Sequence, residues 1–254
     1  MKLHFRAYGA GPPVMILHGL FGSSDNWHSI STKLGAQYKV FAVDLRNHGQ
    51  SPRSDEISYG AMAADLGELI NDQSVDRISI IGHSLGGKVA MQFALSWPEQ
   101  VEQLVVVDMA PRSYPPHHDY IFKALLTLDL ASFKTRQEID RAIAAQIPQA
   151  TVRQFLLKSL QRDQSGAFYW RINLPALYNH YAGLSAALPT NKTCNRPALF
   201  LKGEKSDYIR SEDEPMIREL FPQAEIRMLP GAGHWLHADV PESFFRNVQE
   251  FIRG

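Results

Sequence analysis

Four runs of apolar residues stand out along the first half of the chain: Val14–Leu17, Val40–Val43, Ile78–Ile81 and Leu104–Val107. Each is short and rich in β-branched residues, unbroken except at Ser79, the pattern of a strand buried on both faces of a sheet. Leu3 to Tyr8 alternates weakly and predicts an edge strand. Helical spacing lies between the runs, over Tyr59 to about Ile70 and from about Leu85 to Trp97. Strands that alternate with helices predict an α/β chain with a mostly parallel central sheet flanked by helices.

The rhythm breaks after Asp108-Met109-Ala110-Pro111. From Arg112 to Thr190 no strand is predicted. Thr135-x-x-Glu138 and Thr151-x-x-Gln154 read as capping boxes opening two apolar-faced helices, so residues 112–190 are expected to form a helical insertion, the cap. The strand pattern resumes at Pro197–Leu201, and Ser211-x-x-Glu214 predicts a helix to Phe221. Ile226–Leu229 is a last strand, and Asp239-x-x-Glu242 opens a final helix to Ile252. The expected organisation is a core of residues 1–111 and 191–254 with a cap of 112–190.

The chain has 254 residues, 44% of them hydrophobic, enough for one large domain or a domain with an insertion. Lys+Arg and Asp+Glu both number 26, which removes the electrostatic case for a nucleic-acid partner. No apolar run is long enough to span a bilayer, so no membrane partner is expected. Polar residues interrupt Met1–Arg6 before any signal-peptide core forms. Cys194 is the single cysteine; it excludes an internal disulfide and suits a reducing, cytoplasmic setting.

The chemistry gathers at strand ends. Gly82-His83-Ser84-Leu85-Gly86 fits G-x-S-x-G between a strand and a helix, the setting of a nucleophile elbow. A side chain at either glycine would meet neighbouring backbone, and Gly86, Gly87, Ala90 and Ala94 keep the next helix slim. The same residues imitate a P-loop, Gly82-x-x-x-x-Gly87-Lys88, but Val89 stands where a Mg²⁺-holding hydroxyl is needed. A serine nucleophile needs a base, and His234 follows the last strand in Gly231-Ala232-Gly233-His234. The oxyanion needs backbone N–H groups, for which Leu85 and Leu20 are placed. His18 and His48 are expected to brace turns, Asp44–Gly49 to fix a loop, and His117-His118-Asp119 to form a solvated loop. The His234/His237 pair lacks a third ligand of suitable spacing, so no metal is expected.

His18-Gly19-Leu20-Phe21-Gly22, Asp44–Ser51, Gly82–Gly86 and Gly231–Trp235 occur in this order across most of the chain. Together they resemble the α/β-hydrolases, specifically the small capped serine esterases of the bacterial YbfF-like type. The resemblance implies a cap after the sixth core strand, no organic cofactor or metal, and a small acyl ester or thioester as substrate. In most of that family the triad acid lies in a Gly-x-x-Asp turn after the seventh strand. Here the turn is Gly203-Glu204-Lys205-Ser206, and Asp207 comes one residue late. Asp108, at the end of the strand after the elbow helix, is the expected acid, with Asp207 in reserve. The expected catalytic set is therefore Ser84, Asp108 and His234. Phe21, His83, Trp170 and Trp235 are the candidate substrate contacts; Phe168-Tyr169-Trp170 could line an acyl pocket or pack the cap on the core. One fold hosts many reactions, so a C–C bond hydrolase, a lyase, a perhydrolase or a non-catalytic binding protein are the alternatives. The cap holds nine basic and five acidic residues, a balance that would suit an anionic tail such as that of an acyl-coenzyme A.

Overall fold

A computed structural model describes residues 1–253. The chain runs through β1 (Phe5–Tyr8), β2 (Pro13–Leu17), α1 (His28–Leu34), β3 (Lys39–Val43), α2 (Tyr59–Asp72), β4 (Ile78–His83), α3 (Leu85–Ser96) and β5 (Val101–Val107). The insertion follows, with α4 (Asp119–Leu126), α5 (Arg136–Ile143), α6 (Ala150–Leu157), β6 (Leu160–Arg162), β7 (Phe168–Trp170), α7 (Leu174–Asn179) and α8 (Tyr181–Ser185). The core closes with β8 (Ala198–Gly203), α9 (Glu214–Leu220), β9 (Ala224–Leu229), α10 (Leu236–Asp239) and α11 (Pro241–Arg253).

Seven strands form the main sheet in the order β1-β3-β2-β4-β5-β8-β9. Only β1 pairs antiparallel, with Phe5 opposite Val43; every other pair is parallel. Alternate residues feed opposite layers, as a period of two requires. Val14 and Ile16 pack with Trp27 and Leu34 from the α1 side and Phe244 and Val248 of α11. Met15 and Leu17 pack with Met62 and Leu66 of α2 and Val89 and Phe93 of α3. Covering both faces is what allows the central strands to be apolar without interruption. No helix among the described residues is long and apolar enough to cross a membrane.

The chain leaves β2 toward β3 on one side and returns to β4 on the other, so the strand order reverses between β2 and β4. The crevice at such a reversal is where open α/β sheets bind ligands. The loops after β2 and β4 carry Leu20 and Ser84 to it.

The insertion departs from expectation in three ways. It leaves the sheet after the fifth strand, not the sixth, because one edge strand alone precedes the parallel set. It is not all helical: β6 and β7 form an antiparallel hairpin with Leu160 opposite Trp170. The turn Asp163-Gln164-Ser165-Gly166 builds it. The Asp163 carboxylate accepts the N–H groups of Ser165 (2.8 Å) and Ala167 (3.0 Å), and Gly166 takes φ +87°. Thr151 caps nothing, since α6 already begins at Ala150 behind Gln149. The Thr135–Glu138 capping box does form. Ends of the insertion are tied together by Tyr114 N–H to Ser185 C=O (2.8 Å) and Leu188 N–H to Pro111 C=O (2.9 Å). Its apolar residues, such as Phe122, Ile139, Leu156 and Trp170, join the core cluster that holds α2 and α3.

Two further helix starts differ from expectation. Before α9, the Asp213 carboxylate, not Ser211, accepts the Arg210 N–H (2.8 Å), and a 3₁₀ turn spans Ser211–Asp213. Asp239 ends α10, and its carboxylate accepts Gly233 N–H (2.8 Å) rather than capping α11.

Candidate active site

Ser84 stands between β4 and α3 with φ 53° and ψ −117°, a backbone state an ordinary residue adopts only under constraint. The constraint comes from both glycines of the motif. A Cβ on Gly82 would lie 2.3 Å from Gly86 O, and one on Gly86 would lie 2.5 Å from His18 O. The elbow is thereby pressed against the loop after β2, where a Cβ on Gly19 would sit 3.2 Å from Ser84 Cβ. Leu85 begins α3, so its N–H has no intrahelical acceptor. Among the described residues neither Leu85 N–H nor Leu20 N–H donates to the backbone.

His234 enters from the loop after β9. Its Nδ1 lies 2.7 Å from Asp108 Oδ2. Asp108 is fully buried at the end of β5 with φ 51°. Its Oδ1 accepts Gly203 N–H (3.1 Å), and its Oδ2 also accepts the Ser206 hydroxyl. A carboxylate can only accept, so Nδ1 of His234 carries a proton and Nε2 is the ring nitrogen left to face the cavity. The His234 ring stacks on Tyr208, centroids 3.8 Å apart and planes 17° apart. His83 Nε2 donates to the His234 carbonyl (2.9 Å). Burial, then the neighbouring His234, push the His83 pKa well down, so that ring is neutral. The loop can approach β8 because Gly203 has no Cβ; one would lie 2.3 Å from Gly233 O. Asp207, the reserve acid, is exposed, and its main-chain carbonyl accepts a bond from Arg112.

Two cavities meet at Ser84. One, of about 210 Å³, is bounded by Ser84, His234, Phe21, His83, Trp235 and apolar cap residues including Ile121 and Phe155. The other, of about 40 Å³, lies between Ser84, Tyr59, Lys88, Tyr114 and Tyr181. Three of the four expected contacts thus face the larger cavity. Trp170 does not. Strand alternation in β7 turns Phe168 and Trp170 inward and leaves Tyr169 exposed, and the Trp170 carbonyl accepts a bond from Arg53 (3.1 Å). Trp170 packs cap onto core, outside both cavities.

Three groups at the site carry no direct sign of their place in the sequence. Tyr208 follows the Gly203–Ser206 turn with no motif of its own. Lys88 falls only within a broken P-loop pattern. His118 is no solvated loop residue: it faces both cavities, its Nδ1 lies 2.8 Å from Tyr181 Oη, and burial, then His234, lower its pKa to about 4. The Pro115-Pro116 pair before it was the available sign of a constrained segment.

The supporting loops behave as turn braces. His18 Nε2 accepts Leu45 N–H (3.0 Å), and His48 Nδ1 lies 3.0 Å from Arg46 O. Asp44 accepts the N–H groups of Ser24 (2.6 Å) and Gln50 (2.8 Å). Most cap cations are committed: Arg112 to Asp213, Lys123 to Asp119, Arg153 to Asp140 and Arg171 to Asp25, while Arg136 and Arg162 bind backbone carbonyls.

The family model for the alpha/beta hydrolase fold matches residues 12–241. The chain is 40% identical to the sn-1-specific diacylglycerol lipase ABHD11 of Danio rerio over 98% of its own length and 81% of that protein. It is 34% identical to esterase YbfF of Escherichia coli over 99% of both chains. Among solved structures, a marine microorganism esterase superposes with a TM-score of 0.96 at 42% identity, covering 99% of each chain. The chain therefore belongs to the alpha/beta-hydrolase fold family, as a carboxylesterase-type hydrolase.

Proposed function

We propose that this enzyme cleaves carboxylic esters, and acyl thioesters of similar size, through an acyl-enzyme on Ser84. The observation that carries this reading is the 2.7 Å contact from Asp108 to His234 Nδ1, with His234 and Ser84 facing one cavity. Asp108 holds His234 in the tautomer whose Nε2 can take the Ser84 proton. The hydroxyl oxygen adds to the ester carbonyl. The resulting oxyanion is met by the N–H groups of Leu85 and Leu20, the first at the positive end of α3. His234 returns its proton to the departing alcohol or thiol, and water repeats the sequence to free the acid. Serine–histidine hydrogen bonds of this kind commonly tighten only with substrate.

The larger cavity suits an apolar acyl or alcohol group, since Ile121, Val152, Phe155 and Leu156 line it. Relatives carrying the name diacylglycerol lipase favour glycerol esters among the substrates to try first. The single thiol, Cys194, is free and buried, which suits a reducing cytoplasm.

A fluorophosphonate probe should label the protein stoichiometrically and fail to label Ser84→Ala. Turnover of a p-nitrophenyl ester series and matching acyl thioesters should then rank the substrates. Labelling without turnover of any acyl substrate would instead point to a ligand-binding protein on this scaffold.

A further inference from the structure

Lys88 is a buried cation with no carboxylate partner, one helical turn from Ser84. Its N–H donates to Ser84 C=O (3.1 Å), so the two residues share a face of α3. Only 1% of Lys88 is exposed. Its Nζ lies 5.0 Å from the Tyr114 ring centroid and 5.5 Å from that of Tyr59, two walls of the smaller cavity. The one hydrogen bond it makes goes to the main-chain carbonyl of Ala186, just past α8. An ammonium has three donors, so Lys88 still has hydrogen bonds to give.

Three tyrosine hydroxyls around that cavity are already committed. Tyr59 Oη donates to Leu184 O, Tyr114 Oη to Tyr208 O (2.7 Å), and Tyr181 Oη lies 2.8 Å from His118 Nδ1. Burial raises the pKa of Tyr59 and Tyr114, so both stay protonated, and His118 is neutral. Arg112, the nearest other cation, is bound to Asp213 at 2.8 Å. No carboxylate lines the cavity. Burial, then Arg112, lower the Lys88 pKa to about 7, the response of an ammonium that lacks a counter-ion.

We propose that the smaller cavity is an anion subsite: Lys88 Nζ binds a carboxylate carried by a short ester while Ser84 attacks that ester's carbonyl. The proposal rests on the esterase reading above and names the substrate class. The substrates are half-esters of short dicarboxylic acids, or esters of short hydroxy acids, with the apolar end in the larger cavity. The smaller cavity has room for a terminal polar group and not for a long chain. A lysine that only tied α3 to the cap would need the Ala186 bond alone and would show no preference between charged and neutral esters.

The test compares kcat/KM for monomethyl succinate and methyl butyrate, which puts the carboxylate on the acyl side. The same comparison for 3-acetoxypropionate and propyl acetate puts it on the alcohol side. In the wild type one charged ester should exceed its neutral partner by about tenfold or more, and Lys88→Met should lower that ratio by about tenfold or more. A second readout needs no turnover. Succinate binding by calorimetry to Ser84→Ala should be at least about tenfold tighter than to Ser84→Ala/Lys88→Met. Equal charged-to-neutral ratios in wild type and Lys88→Met, or equal succinate binding, would overturn the subsite. Should Lys88→Met not fold, the wild-type ratios decide: no preference for either charged ester sinks the proposal and leaves the esterase standing. Failure of Ser84 to react with fluorophosphonate would sink the esterase reading, and calorimetry would still judge Lys88.

Discussion

Ser206 gives its hydroxyl to the same oxygen of Asp108 that lies 2.7 Å from His234 Nδ1. The serine occupies the turn position after β8 where related hydrolases commonly carry the acid, while the carboxylate arrives from the end of β5. Both positions converge because β5 and β8 are parallel neighbours, with Val107 opposite Leu201. Two strand ends in adjacent register open on the same crevice, so either can reach the His234 imidazole.

Asp108→Asn should leave the fold intact and lower kcat by about 10⁴-fold, the loss seen when a triad aspartate can no longer hold the imidazole tautomer. Asp207→Asn should change kcat by less than about threefold, because its side chain is exposed and His234 Nδ1 is already bound to Asp108. Steady-state kinetics on folded variants check both. The reverse ranking would move the acid to Asp207.

Placing a carboxylate at the Ser206 position of the Asp108→Asn protein should restore part of the activity. The double variant Asp108→Asn/Ser206→Asp is expected to regain about tenfold or more over Asp108→Asn alone. No gain would mean that the β8 turn cannot aim a carboxylate at Nδ1.

Gly86→Ala tests the elbow. The added methyl would lie 2.5 Å from His18 O and 2.6 Å from Leu17 O, both main-chain atoms that cannot rotate away. A loss of about 3 kcal/mol in unfolding free energy is expected. Urea denaturation measures it, and a change within about 0.5 kcal/mol would refute the packing argument.

Acid should weaken the fold through His48. The ring is fully buried, and burial, then the neighbouring His18, lower its pKa to about 3 from an ordinary 6.5. Between these values the unfolded chain binds the proton and the folded chain does not. Stability therefore falls as the pH drops below 6.5, by about 1.4 kcal/mol per pH unit for each such histidine. His48→Asn can still donate to Arg46 O and removes this proton. Urea midpoints between pH 6.5 and 4.5 should show a shallower slope in the variant, whatever its stability at pH 7. An unchanged slope would exclude His48 as a source of the acid sensitivity.

The central strands, the elbow and the histidine loop were all legible in the sequence because each depends on neighbours in the chain. Val14–Leu17 and Leu104–Val107 show their burial as continuous apolar runs. Gly82, Ser84 and Gly86 reveal the elbow because they form one short motif between a strand and a helix, and the clash avoided at Gly82 lies within five residues; the one avoided at Gly86, against Leu17 and His18, does not show along the chain. Asp108 could be preferred over Asp207 because a strand end has a predictable direction. The β6–β7 hairpin was hidden because its strands span only three residues each, too short for alternation to show; its turn residues alone marked it. Ser206, His118 and Lys88 depended on contacts across 98, 63 and 98 positions of chain. Trp170 was misplaced for the same reason, since nothing local says which cavity wall or core an aromatic will meet. What a residue does to its own backbone can be read along the chain. Which distant carbonyl, ring or carboxylate it meets is decided only when the sheet order and the cap bring them together.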